Sequence, residues 1–259
     1  MNLTKYRESD KEKTRTNDLI RIIENLNGPS NNTLDIGARD GHFSKLLAKY
    51  YNSVIALDLE KPSFKHDNVT CIQGDVTNLK FDDDYFNLVF CAEVLEHIPT
   101  NMLKNACSEL SRVSNKYILI GVPYKQDIRV GRLTCYSCGK INPPWGHVNS
   151  FNDKRLESLF PGCFIKEKFF VGKVNSFTNS ISTALMDYAG NPYGTYSQEE
   201  PCIHCGKKLI LPPKRTLLQK VATEMSFCIK YIQTPFTNEH PNWIHVLFQR
   251  KRHNNANQR

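Results

Sequence analysis

The sequence predicts an α/β fold, a largely parallel sheet with helices on both faces, from three observations. Short apolar runs recur along the first half of the chain, several end in a carboxylate, and the first leads straight into a glycine-bearing turn. Leu34-Asp35-Ile36-Gly37-Ala38-Arg39-Asp40-Gly41-His42-Phe43 reads as a buried strand, a tight loop and the start of a helix. Gly37 follows the acid Asp35 by two residues and Gly41 comes four later, so the backbone can turn and approach a ligand where a side chain would collide. The spacing is not the G-x-G-x-x-G that seats a pyrophosphate. An acid in the loop repels phosphate and attracts an ammonium group.

The remaining elements follow in order. Val54-Ile55-Ala56-Leu57-Asp58 is a second strand whose terminal acid, with Leu59 beside it, lies where ribose hydroxyls are held. Cys71-Ile72-Gln73-Gly74-Asp75-Val76 gives a third strand end, with Asp75 placed to accept from an adenine amino group. Phe86 to Cys91 and Tyr117 to Pro123 read as the fourth and fifth strands, Phe164 to Val171 as a sixth, and Asn242 to Phe248 as a returning last strand. Helices are expected around Ser180 to Tyr188 and Leu217 to Tyr231. Taken together, residues 31–123 and the last strand resemble class I S-adenosylmethionine-dependent methyltransferases. The resemblance implies a Rossmann-like sheet, S-adenosyl-L-methionine as cofactor, and a donor site carried by Asp35, Gly37, Arg39, Gly41, Asp58, Leu59, Asp75, Val76 and Cys91. Arg39 stands where the family loop often has glycine; its side chain either closes over the donor carboxylate or points to solvent.

At 259 residues and 40% hydrophobic, the chain can bury one large core. A single methyltransferase domain over 1–259, with insertions at about 125–146 and 173–240, is simpler than two domains. No run of about 18 apolar residues occurs and the N-terminus is charged, so a cytoplasmic protein without a membrane span is expected. Part of the net charge of +8 lies in the acid-free stretch from Gln249 to Arg259, and residues 250–259 are expected to be a disordered basic tail. Lys207-Lys208 and Lys214-Arg215 form a further basic patch, which either tracks phosphates or is a solvated face.

Two of the cysteine pairs share one pattern, Cys135-Tyr136-Ser137-Cys138-Gly139-Lys140 and Cys202-Ile203-His204-Cys205-Gly206-Lys207. Two C-x-x-C turns, each followed by Gly-Lys, suit a closed tetrahedral Zn²⁺ site with a structural role, and their spacing disfavours disulfides. The first pair follows the fifth strand and the second follows the sixth, so both insertions leave from one end of the sheet and form a zinc-bearing lid over the ligand face.

Glu93, Glu96 and His97 follow the fourth strand, and would share one face if a helix begins there. His147, after the fifth strand, reaches the same sheet edge, giving a mixed oxygen and nitrogen site suited to Mg²⁺, Mn²⁺, Fe²⁺ or Zn²⁺. This E-x-x-E-H with a later histidine resembles the metal-dependent O-methyltransferases of the ubiquinone pathway and the small-RNA ribose 2′-O-methyltransferases. That resemblance implies a divalent ion on Glu93, Glu96, His97 and His147 that binds substrate hydroxyls. In the ion-free alternative, His97 or His147 is the general base. Asn142-Pro143-Pro144-Trp145 matches the Asn-Pro-Pro-aromatic signature of amine-methylating enzymes, but not its place after the fourth strand, and reads instead as a loop shaping the zinc module. The expected activity is O-methylation of a hydroxyl on a small molecule or saccharide. The alternatives are an RNA ribose 2′-O-methyltransferase and a non-catalytic donor-binding module whose zinc lid serves a protein partner.

Overall fold

The computed structural model describes residues 7–26 and 32–251. Helix α1 (Asp10–Glu24) starts where Ser9 accepts the Glu12 N–H, and it buries Leu19, Ile22 and Ile23. Strand β1 (Asn32–Ile36) leads through the glycine loop into α2 (His42–Leu47), followed by β2 (Ser53–Asp58), β3 (Val69–Gln73) and β4 (Phe86–Ala92). Helix α3 (Leu103–Val113) buries Leu103, Ala106, Cys107, Leu110 and Val113, the three-to-four-residue repeat of a helix lying on a sheet. Then come β5 (Ser114–Pro123), the short pair β6 (Leu133–Thr134) and β7 (Ile141–Asn142), α4 (Asp153–Leu159), β8 (Cys163–Val171), α5 (Ser180–Tyr188), α6 (Leu217–Gln233) and β9 (Trp243–Arg250).

The main sheet has the order β3-β2-β1-β4-β5-β9-β8. Strands β1 to β5 are parallel, whereas β9 runs antiparallel to both β5 and β8. This is the Rossmann-like sheet that the sequence predicts, with both faces covered. Along β4 the alternation is plain, since Val89 and Cys91 enter the core shared with α3 and α4, while Leu88 and Phe90 enter the core shared with α1 and α2. Chain order reverses between β1 and β4. The carboxyl ends of those neighbouring strands are therefore the crevice where such sheets bind ligands.

Three local expectations differ. Strand β3 stops at Gln73, because the Gly74 N–H donates to Asp58 O and Asp75 caps the turn through Thr77, leaving Asp75 and Val76 beyond the strand. Arg250 closes β9 instead of opening a tail, and residues 252–259 of that expected tail lie outside the described residues.

The third is that no helix begins at Glu93. That residue has φ 58°, a single turn follows in which the His97 N–H meets Val94 O, and helix α3 waits until Leu103. Pro99 is the physical reason, since it offers no N–H and pushes Ile98 away from helical geometry. The carbonyls so released are taken by a later segment. Asn149 Nδ2 donates to Leu95 O and Ile98 O, and the backbone N–H groups of Val148 and Asn149 donate to Glu96 O.

Candidate active site

Gly37 and Gly41 both take left-handed backbone, with φ 77° and 79°. A Cβ on Gly37 would lie 2.4 Å from Val94 Cγ2, and one on Gly41 would lie 2.2 Å from the Phe64 ring, so the β1–α2 loop is closely enclosed. Asp35 is buried and accepts the Ser44 hydroxyl. Burial raises its carboxyl to about 7, against the Ser44 hydrogen bond and with a push from Asp58. Asp58 accepts the Arg39 N–H at 2.9 Å and the Leu59 N–H at 2.7 Å, which fixes its carboxylate at the end of β2. Asp75 spends one oxygen on Thr77, while Leu59 is exposed and Val76 buried nearby. Cys91 differs in kind from these: its side chain is fully buried in the core below the sheet.

The turn after β4 packs on this loop through Val94, and the hook from Asn149 brings His147 beside it. Glu96, His97 and His147 each present a ligand atom within 4.8 Å of the others. The two imidazoles meet edge to face, with centroids 4.6 Å apart. Glu96 is fully buried and, among the described residues, neither of its oxygens has a hydrogen-bond partner; burial, with a further push from Glu93, holds its carboxyl well above the usual range. Burial and the neighbouring His97 lower His147 to about 3, which keeps its imidazole neutral. His147 Nδ1 lies 2.7 Å from Gln126 Oε1; the Nδ1 proton goes to that acceptor and Nε2 keeps its lone pair.

Glu93 stands apart from this trio. Its carboxylate turns to Arg15 of α1, 3.6 Å away, and Arg15 is itself clamped by Glu12 and lies over the Phe43 and Trp243 rings. The segment 196–201 reaches the site from the other side. Glu199 pairs with Arg39 at 3.5 Å, Gln198 Oε1 accepts the Trp145 N–H, and Glu200 approaches Gly146 together with His97 Nδ1. Sequence reasoning did not find Arg15, Gln126 or Glu200, which carry no local motif; only their long-range contacts mark them.

The four paired cysteines also converge. Cys135 and Cys205 have their sulfurs 3.7 Å apart, as do Cys138 and Cys202, and all four lie within 4.8 Å. A tetrahedron with zinc–sulfur bonds of about 2.3 Å has an edge of about 3.8 Å, so these thiols fit the ion, and 3.7 Å is far too long for a disulfide. The two turns are built alike. Cys135 N–H bonds Lys140 O and Gly139 N–H bonds Cys135 O, while Cys202 N–H bonds Lys207 O and Gly206 N–H bonds Cys202 O. Asn142 joins them by accepting the Ile203 N–H at 2.9 Å, which gives the Asn-Pro-Pro-Trp stretch its structural place. Burial disfavours the Cys202 thiolate, yet the His204 and Cys205 N–H groups overcome it and bring that thiol to about 6.

With this geometry in view, the known proteins can be compared. The family model described as a methyltransferase domain matches residues 34–117. Over these residues the chain is similar to methyltransferase domains. The matched stretch runs from Leu34 in β1 through the glycine loop, β2, β3, β4, the turn with Glu96 and His97, and α3. No curated protein sequence matches the chain. Among solved structures, the YcgJ protein from Bacillus subtilis has a TM-score of 0.53 at 16% identity, covering 92% of this chain and 99% of that one. The N-methyltransferase NodS from Bradyrhizobium japonicum, in complex with S-adenosyl-L-homocysteine, has a TM-score of 0.53 at 12% identity, covering 95% and 90%. The [4+2]-cyclase SpnF has a TM-score of 0.52 at 14% identity, covering 94% and 84%. At these identities the likeness is one of fold, and a fold that also carries a cyclase does not name a reaction.

Proposed function

We propose that the chain is an S-adenosylmethionine-dependent O-methyltransferase acting on a hydroxyl of a small molecule or saccharide. The observation that carries this reading is the meeting of Glu96, His97 and His147 beside the glycine loop, with a buried carboxylate that no group among the described residues satisfies. Such a carboxylate fits a cation better than it fits a core. Glu96, His97 and His147 would hold a divalent ion, which would supply Lewis-acid polarisation of the acceptor hydroxyl. Glu93 serves the α1 contact instead. Gln126 fixes the His147 ring, so that Nε2 faces its partner with a free lone pair; without an ion, that nitrogen takes the hydroxyl proton. The acceptor oxygen then attacks the methyl carbon, the carbon–sulfur bond breaks, and the electron pair returns to sulfur.

On the donor side, Asp35 answers the ammonium group of the methionine moiety, Asp58 the ribose hydroxyls and Asp75 the adenine amino group, with Leu59 and Val76 flanking the base. Arg39, paired with Glu199, ties this loop to a lid formed by residues 125–146 and 173–240 and held by zinc on Cys135, Cys138, Cys202 and Cys205. Cys91 contributes only backbone. Nine free cysteines suit a reducing compartment, the cytoplasm.

The test is transfer of labelled methyl from the donor into cell extract separated into saccharide, small-molecule and RNA pools, with and without added Mn²⁺. Label in the first two pools is the expected outcome. Nuclease-sensitive label would replace it with ribose methylation, and donor binding without transfer in any pool would leave a non-catalytic module.

Asp35 adds a pH dependence. Its folded carboxyl, raised to about 7, holds a proton that the unfolded chain has already released. The unfolded state therefore binds fewer protons, and stability falls as pH rises from about 4 to about 7. An ammonium partner favours the charged form. Donor affinity is thus expected to rise about tenfold between pH 5.5 and 7, below the range of about 7.7–8.0 where the donor amine titrates. Calorimetric titration should show this slope in the native chain and its absence in Asp35→Asn.

A further inference from the structure

Helix α6 packs with the opposite polarity to an ordinary surface helix. Toward α5 it buries Ala222, Thr223 and Ser226, and the Ser226 hydroxyl donates to Ser182 O at 2.7 Å. Outward it presents Leu217, Leu218, Val221, Met225 and Ile232, each between 47 and 76% exposed, together with the exposed thiol of Cys228. At 3.6 residues per turn these side chains fall within an arc of about 100°. Ile210 and Leu211 before the helix and Phe236 after it are exposed as well. Isolated exposed apolar residues are ordinary; a continuous face of this size marks an interaction.

Charge tells what covers it. Between Cys202 and Ile232 the chain carries six basic residues and one acid, Glu224. Lys207, Lys208 and Lys214 are exposed ahead of the helix, and Lys220 is exposed on it beside the exposed acid Glu224. Small hydroxylic residues inside and large apolar ones outside is how helices pack where the surrounding medium is lipid. An apolar stripe on a segment rich in lysine is the pattern of a helix lying in a bilayer surface. Among the described residues no helix is long and apolar enough to cross a membrane, so the geometry is that of lying on one. The three-and-four spacing of Leu218, Val221, Met225, Cys228 and Ile232 also resembles a coiled-coil seam, but a second copy would set the basic segment against itself.

We propose that α6 and its flanks dock on an anionic lipid bilayer, with the apolar stripe at the acyl boundary and the lysines at lipid phosphates. The inference is independent of the acceptor and of the reaction.

Flotation of the full, zinc-loaded chain with phosphatidylcholine vesicles, with and without phosphatidylserine, tests it. The bound fraction is expected to be roughly tenfold or more higher on the anionic vesicles, as about 1 kcal/mol per lysine near the surface allows. It should fall severalfold between about 0.1 and about 0.5 M salt. Leu218→Glu with Met225→Glu should abolish binding, and Lys214→Glu with Lys220→Glu should abolish the preference for anionic lipid. Unchanged melting temperatures and donor affinities in both double variants would show that the fold is intact. Failure to float, equal binding to both vesicle types, or a dimer that the Leu218→Glu, Met225→Glu variant converts to monomer without any lipid binding would each overturn the proposal.

Discussion

His147→Ala is expected to lower methyl transfer by about 10³-fold while leaving donor affinity within about twofold, a loss within the range of positioned acid–base groups. The acceptor end of the site rests on this ring. Among the described residues, Gln126 at 2.7 Å holds the His147 ring in its orientation. The proposed donor contacts are on β1, β2 and the loop after β3. Single-turnover rates should carry the effect and donor titrations should not. Gln126→Leu keeps the ring but frees its rotation, and a 10- to 100-fold loss of roughly that order is expected, with Gln126→Glu restoring much of it.

Glu96→Gln separates function from architecture more sharply. A buried carboxylate with two unpartnered oxygens weakens a fold unless something outside the protein satisfies it. Replacing the carboxyl by a neutral amide that cannot ionise should therefore abolish turnover while the melting temperature stays level or rises. A structural carboxylate would give the opposite pair of results. If turnover survives in both His147→Ala and Glu96→Gln, the trio is a packing cluster and the oxygen-methylation reading falls.

The central strands β1 and β4 were legible because each is a short apolar run that the sheet buries on both faces, and because Asp35 and Asp58 punctuate the ends of β1 and β2. The turn at Glu93 was not legible, since E-x-x-E-H has the spacing of a helical face and only Pro99 argues locally against it. What decides the turn is Asn149, 54 and 51 residues from the carbonyls it binds. Glu93 is assigned by the same kind of distant partner, Arg15, on a helix whose role over the site has no sequence signature. The cysteine turns were readable because C-x-x-C-G-K closes its own hydrogen bonds, whatever surrounds it. Meeting across 70 and 64 residues needed only that both connections leave one end of the sheet.

That self-sufficiency makes the second large effect local. Cys202→Ser is expected to abolish stoichiometric zinc and unfold residues 125–146 and 173–240 while the seven-stranded sheet remains folded. Structural zinc contributes on the order of 10 kcal/mol or more in small domains, whereas among the described residues the cluster around Cys135 and Cys202 buries just Leu133 and Leu209 with them. So small a cluster does not hold the two connections without the ion. The sheet has cores on both faces that include none of these four cysteines. Limited proteolysis should then cut between residues 196 and 215 in the variant, with the sheet fragment protected. Methyl transfer should collapse although Glu96, His97 and His147 are untouched, because the Glu199–Arg39 pair and the Gln198 hold on Trp145 go with the lid. Arg39→Ala isolates that coupling: it removes one exposed ion pair, worth about 1 kcal/mol or less, so its effect on turnover should be several-fold at most and its zinc content unchanged. Full zinc occupancy in Cys202→Ser would overturn the four-thiolate site, and a metal-free native chain with an intact lid would show that packing alone closes it.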